Sequence, residues 1–197
     1  MYEFIQMFAS NRFLVFIVAL LIFAVFWLYR YTMIKRIFTA QALKRNGTIK
    51  RMIKGHMLSF TYDAHYYILV HYPGSRYKTP STHVETRITT ATDHCIEISS
   101  ESLFSEIGKK LGSKDIEVGY RDFDDQFIIK SDNEYFATSL LTYSVQDKLL
   151  KLRRLKPKIT IKNNTLIVNV PRVLKKEEDY DLLIETAFTL VNRLQNR

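Results

Sequence analysis

The chain has 197 residues, of which 47% are hydrophobic and 25% charged. That suits one compact domain plus an accessory segment and excludes global disorder. Its single cysteine, Cys95, cannot form an internal disulfide, and its six glycines are scattered, which disfavours a phosphate-cradling loop. The net charge of +9 is local: residues 1–29 hold only Glu3 and Arg12, whereas residues 30–54 hold Arg30, Lys35, Arg36, Lys44, Arg45, Lys50, Arg51 and Lys54 with no acid. The remainder is nearly balanced, so the basic pI does not read as nucleic-acid affinity of the whole domain.

In chain order, residues 1–12 read as a short extracytoplasmic N-terminus. Residues 13–29, FLVFIVALLIFAVFWLY, carry no charge and reach about 25 Å as a helix, near the lower limit for crossing a bilayer. A core helix seldom lacks a polar face entirely. A cleaved signal peptide carries its positive charges before the apolar run, not after it. The expected membrane interface comprises Trp27, Tyr29 and Tyr31 as an aromatic belt, with Arg30, Lys35, Arg36, Lys44 and Arg45 as its basic flank. The positive-inside rule then leaves the N-terminus outside and everything from Arg30 onward in the cytoplasm of a single-pass protein of the cell membrane. Residues 30–47 read as a basic amphipathic juxtamembrane helix ended by Asn46-Gly47.

From Thr48 the pattern becomes strand-like. TIKRMIKGHMLSFTY and HYYILVHY flank a turn at Asp63-Ala64, and THVETRI and HCIEIS add two strands. Ser100–Gly112 has helical spacing with a glycine stop. DIEVGYRD and FDDQFIIKS read as further strands. Ser131 and Glu134 have capping-box spacing before a helix 132–141, and a weaker version at Ser144 opens a helix 145–155. KITI-KNNT-LIVNV is a hairpin, and residues 177–194 form the closing amphipathic helix. The expected fold is α+β: an N-terminal single transmembrane helix followed by one domain, residues 48–197, of mixed antiparallel sheet and helices.

Gly119, Phe123, Asp124, Phe127, Ile129, Ser131 and Asp132 compose a loose G-x-x-x-F-D-x-x-F-x-I-x-S-D core, followed by Ala137, Leu140, Leu141, Thr142, Leu149 and Leu152. In this order the chain resembles a poorly characterised group of bacterial membrane-anchored domains of unknown function. The resemblance implies an anchored architecture and carries no catalytic residues.

The densest acidic stretch is Asp122, Asp124 and Asp125. On a strand, Asp122 and Asp124 share a face while Asp125 joins Phe123 and Phe127 on the other. Asp122 and Asp124 are therefore the metal-ligand candidates, but two carboxylates fall short of a calcium shell. Asp124 can instead cap a local turn, and Asp125 can pair with Arg121. His56, His65, His71, His83 and His94 lack zinc spacing, and His94 and Cys95 are sequence neighbours that a strand would point apart. No nucleophile elbow or phosphate loop is present, so no catalytic residue and no cofactor is assigned. The basic run 148–162 and the acidic run 177–185 read as solvated faces or one internal charge match; the basic run lacks aromatic interleaving for base stacking.

These features favour a membrane-anchored cytoplasmic module, a non-enzymatic scaffold or sensor acting through protein–protein contacts. Its partners would be the lipid bilayer and another membrane or cytoplasmic protein, with self-association open. Two alternatives are a membrane-bound metal-dependent enzyme or metal-binding domain using Asp122 and Asp124, and binding of anionic lipid or nucleic acid through residues 30–54. Asn46-Gly47-Thr48 and Asn163-Asn164-Thr165 are glycosylation sequons. Expression in eukaryotic membranes should leave both unmodified; a glycosidase-sensitive mass increase would reverse the orientation.

Overall fold

The computed structural model describes residues 2–52, 55–89, 93–100 and 115–196, with side chains from residue 14 onward. Helix α1, Tyr2–Arg45, runs 44 residues without a break, about 66 Å at the usual rise. It is long and apolar enough to cross a membrane. Residues 14–30 are exposed throughout. Further along the same helix Ile34, Ile37, Phe38 and Gln41 are buried, a stripe at i, i+3, i+4 and i+7 that marks a core-facing helix. Residues 30–47, expected as a juxtamembrane helix, thus supply part of the core of the domain expected to start at residue 48. The helix ends at Asn46, which takes a left-handed φ of 50°. The Gly47 N–H donates to the Ala42 carbonyl at 2.9 Å, closing the last turn in a Schellman arrangement.

The domain is α+β. Eight strands form one antiparallel sheet: β1 Thr48–Met52, β2 Gly55–Tyr62, β3 His65–Tyr72, β4 Ser81–Arg87, β5 Ile96–Ser100, β6 Phe127–Ser131, β7 Lys158–Lys162 and β8 Thr165–Val170. Their order is β1-β2-β3-β4-β8-β7-β5-β6. The β7–β8 hairpin therefore fills the gap between β4 and β5, and every neighbouring pair is antiparallel. Asn163 and Asn164 turn that hairpin at φ 50° and 57°, the positive φ pair that a two-residue connection requires. Alternate residues point to one face: Leu58, Leu69, Val84, Val168, Ile159, Ile98 and Ile129 are all fully buried. The helices lie on that face. Helix α5, Glu177–Gln195, covers β4 and β8, while the second half of α1 covers β1 and β2.

Several sequence expectations change. The strand-like stretch 48–62 is two strands folded on each other, with Met52 opposite Gly55; residues 53–54 lie outside the described residues. Gly55 has φ 113°, and a Cβ there would stand 2.0 Å from the His71 carbonyl oxygen, so β2 can approach β3 only with glycine. The strand expected at DIEVGYRD is absent: residues 115–120 are irregular and α2, Arg121–Asp124, is a single helical turn. Ser131 is not a helix cap. Helix α3, Glu134–Leu140, starts two residues later, where the Asn133 side chain accepts from the Phe136 N–H at 2.9 Å. Ser131 instead donates to the Cys95 carbonyl at 2.7 Å across the β5–β6 edge. Helix α4 spans Tyr143–Leu152, and a 3-10 turn, Arg153–Leu155, replaces its expected last turn. Lys156 at φ 54° stops that turn just before Pro157. The helix expected at Ser100–Gly112 falls outside the described residues, apart from Ser100 at the end of β5.

Phe38 joins the layers. Its ring centroid lies 5.5 Å from His56, 6.2 Å from His71 and 5.8 Å edge-on from Tyr180. Phe38→Ala should destabilise the domain by about 3–5 kcal/mol, read as a lowered melting temperature in detergent. Phe16→Ala, on the exposed stretch, should leave the same transition in place. Equal effects of the two substitutions would refute the core role of α1.

Candidate functional site

The acidic stretch does not converge. Asp124 turns back on the chain, and its two carboxylate oxygens accept from the Val118 and Gly119 N–H groups, each at 3.0 Å. These two hydrogen bonds to the backbone fold the segment into α2 and seat Phe123 in the core, stacked 4.8 Å from Phe127. Asp125 pairs with Arg121 at 3.7 Å along the helical turn, and Asp122 is exposed. Among the described residues no group of three or more His, Cys, Asp and Glu is placed to hold a metal ion. Cys95 is a free thiol just before β5. The neighbouring His94 ring faces the Asp132 carboxylate at 3.6 Å and the Asn133 amide at 3.2 Å.

The charge runs are matched inside the molecule at several points. Lys148 pairs with Glu185 at 2.8 Å, Arg154 with the buried Asp179, and Lys158 with Glu97 at 2.7 Å. Asp181, on α5, collects the end of α1: Lys44 and Arg45 each reach its carboxylate at 2.8 Å, and the Gln41 amide donates to it at 3.2 Å. Burial alone would raise the Asp181 carboxyl, but these three donors outweigh it and hold it below the usual range. Lys44 and Arg45, two of the expected interfacial residues, lie about 21 Å along the helix from Arg30. They fasten the helix to the domain.

What the fold does bring together lies at the junction of the exposed apolar part of α1 and the sheet. The turn at Asp63-Ala64 sets His56 directly opposite His71, with ring centroids 6.2 Å apart. Both histidines are buried, and both Nδ1 atoms lack a hydrogen-bond partner. Burial, then His56, then Arg30 push the His71 imidazole down to about 4. Burial, then Arg51 and Lys35 lower His56 as well. Both rings are therefore neutral at physiological pH, and the tautomer with its proton on Nε2 avoids an orphaned buried donor.

Above the histidines opens a cleft of about 440 Å³. Its apolar wall is Phe23, Phe26 and Trp27 from the exposed part of α1. Its polar wall is Arg30 of α1, Arg51 of β1, and the two histidines. Trp27 stacks 6.0 Å from Tyr31. The Arg51 guanidinium lies 5.7 Å over the Tyr31 ring, and that of Arg30 lies 5.9 Å over Phe26. Among the described residues neither arginine has an acidic partner within 4 Å. Metal-ligand spacing misses the histidine pair. It can be found only by folding the two strands about the Asp63-Ala64 turn and counting back.

No family model matches the chain, and no curated protein matches it significantly. Among solved structures the fold is similar to that in the crystal structure of the mycobacterial trehalose monomycolate transport factor A, TtfA. The TM-score is 0.58 and the identity 9%, over 82% of this chain and 94% of that one. At that identity the likeness is one of fold.

The buried imidazoles make stability depend on pH. An unfolded histidine takes up a proton near pH 6.5, whereas folded His71 stays neutral down to about 4. The unfolded state binds the extra proton between those values, so stability is complete above pH 6.5 and declines as pH falls toward 4. His71→Phe should flatten this slope in melting curves taken from pH 7.5 to 4.5. An unchanged slope would refute neutral burial of His71. Asp181 acts lower, because its depressed carboxyl loses stability only as pH falls through and below the usual carboxylate range.

Proposed function

We propose that the chain is a single-pass, membrane-anchored module whose domain lies on the cytoplasmic side and acts without catalysis, by presenting a surface to a partner protein. The observation that carries this reading is the two-part use of α1. Its exposed apolar half is suited to lipid, and its next three turns are part of the domain core. A domain mounted in this way is held at a set height and rotation, which is useful for positioning a partner and unnecessary for a freely tethered enzyme. The basic residues after the apolar run favour the cytoplasmic orientation. The fold likeness to a mycobacterial transport factor fits an accessory role in a membrane process, as does the resemblance to bacterial membrane-anchored domains.

The surface we assign to the partner is the sheet face opposite the helices. The register aligns Ile68, Glu85, Ile167 and Thr160 across four central strands of that face, mixing apolar and charged groups as transient interfaces do. The metal-dependent alternative at Asp122 and Asp124 is less well supported, because the Asp124 carboxylate already accepts two backbone N–H groups.

Affinity purification of the full chain from detergent-solubilised membranes should recover one specific protein. The Ile68→Glu, Ile167→Lys double variant should reduce its recovery about tenfold without lowering the melting temperature. No enrichment over background, together with turnover of a small molecule by the purified chain, would overturn the proposal.

A further inference from the structure

The junction cleft joins two chemistries that come from different parts of the chain. Phe23, Phe26 and Trp27 belong to the stretch suited to hydrocarbon, where a lipid-facing wall costs nothing. Arg30 and Arg51 stand at the domain end, and Arg51 is supplied by the edge strand β1. Aromatic rings lie under both guanidiniums, and no acid neutralises either one among the described residues. Elsewhere Lys44, Arg45, Lys148, Arg154 and Lys158 have carboxylate partners. Beneath the arginines the two neutral histidines form a floor that adds no charge of either sign.

A cavity of about 440 Å³ is within the usual range for small-molecule sites. Paired arginines match the oxygens of a phosphate, which they can grip through two N–H groups each. A soluble phosphate would leave the aromatic wall unused. A hydrocarbon chain alone would leave two cations unpaired. A phospholipid satisfies both walls, with its charged group at the level of Arg30 and its chains along Phe23 and Phe26.

We propose that this cleft holds one anionic phospholipid taken laterally from the surrounding membrane, its phosphate between Arg30 and Arg51 and its acyl chains against Phe23, Phe26 and Trp27. The assignment rests on the anchored reading of α1. It makes the occupied site a composite of lipid, anchor and edge strand, so that the domain's docking depends on membrane composition as well as on protein packing.

Trp27 is the one tryptophan of the chain, so it reports on the site without labelling. The full chain is placed in nanodiscs of phosphatidylcholine containing a minor fraction of chain-brominated phosphatidylglycerol, or the same fraction of brominated phosphatidylcholine. The anionic lipid should quench Trp27 saturably and at lower fractions than the zwitterionic one. Arg51→Gln should weaken that apparent affinity about fivefold, the share of one cation near an anionic headgroup. Lys50→Gln removes the same charge from the adjacent position, which strand alternation turns to the other face, and should leave the affinity unchanged. Equal quenching by the two lipids, or equal effects of the two substitutions, would overturn the proposal while leaving the anchor intact. Displacement by free glycerol 3-phosphate would replace the lipid with a soluble phosphate ligand. Absence of quenching by either lipid would instead overturn the anchored reading itself.

Discussion

One helix carries two surface patterns, an exposed apolar half long enough to cross a membrane and a half buried in the domain, and the rest of the structure follows from that constraint. Within a bilayer a helix satisfies its own backbone hydrogen bonds and can expose apolar side chains on every side. Within a domain it must confine them to the stripe that faces the core. Helix α1 changes from the first regime to the second without interruption, between Tyr29 and Ile34. Phe38 is where the second regime is secured. It touches the β2–β3 pair through His56 and His71 and touches α5 through Tyr180.

The same arrangement sorts the basic residues of the 30–54 segment by role. The pair at the end of the helix, Lys44 and Arg45, bonds Asp181 and closes the docking of α1 on α5. Lys35 and Arg36 are exposed. Arg30 and Arg51 line the same cleft although 21 residues separate them. A uniform positive run in the sequence is therefore divided by the fold: its Lys44–Arg45 end fastens α1 to α5, while Arg30 and Arg51 line the cleft.

Local features of the domain were legible to differing depths. The β7–β8 hairpin, the α5 stripe and the Asn46-Gly47 stop depend on residues within a few positions of each other, and the structure keeps them. The Asp122–Asp125 stretch reads as strand because Phe123, Asp125, Phe127 and Ile129 alternate; the structure makes it a helical turn. Two backbone N–H groups bonding one carboxylate override that alternation, and no periodicity reports on such bonds. Ser131 failed as a cap for a related reason. Its hydroxyl has a better partner in the Cys95 carbonyl, which lies just before β5, 36 residues away, and is out of reach of any local pattern.

By itself the sequence determined the apolar run, the charge imbalance beside it, the α+β class and the positions of most strands. Each of these follows from composition or from a short period along the chain. Only the tertiary structure decided that the helix after the anchor lies inside the domain, that Asp181 gathers Lys44 and Arg45, and that His56 and His71 face each other beneath Arg30 and Arg51. The reason is physical. Burial and pairing of those groups depend on which strands meet and in what register, and the free energy of that choice is distributed over the whole sheet rather than written at the residues that form the site.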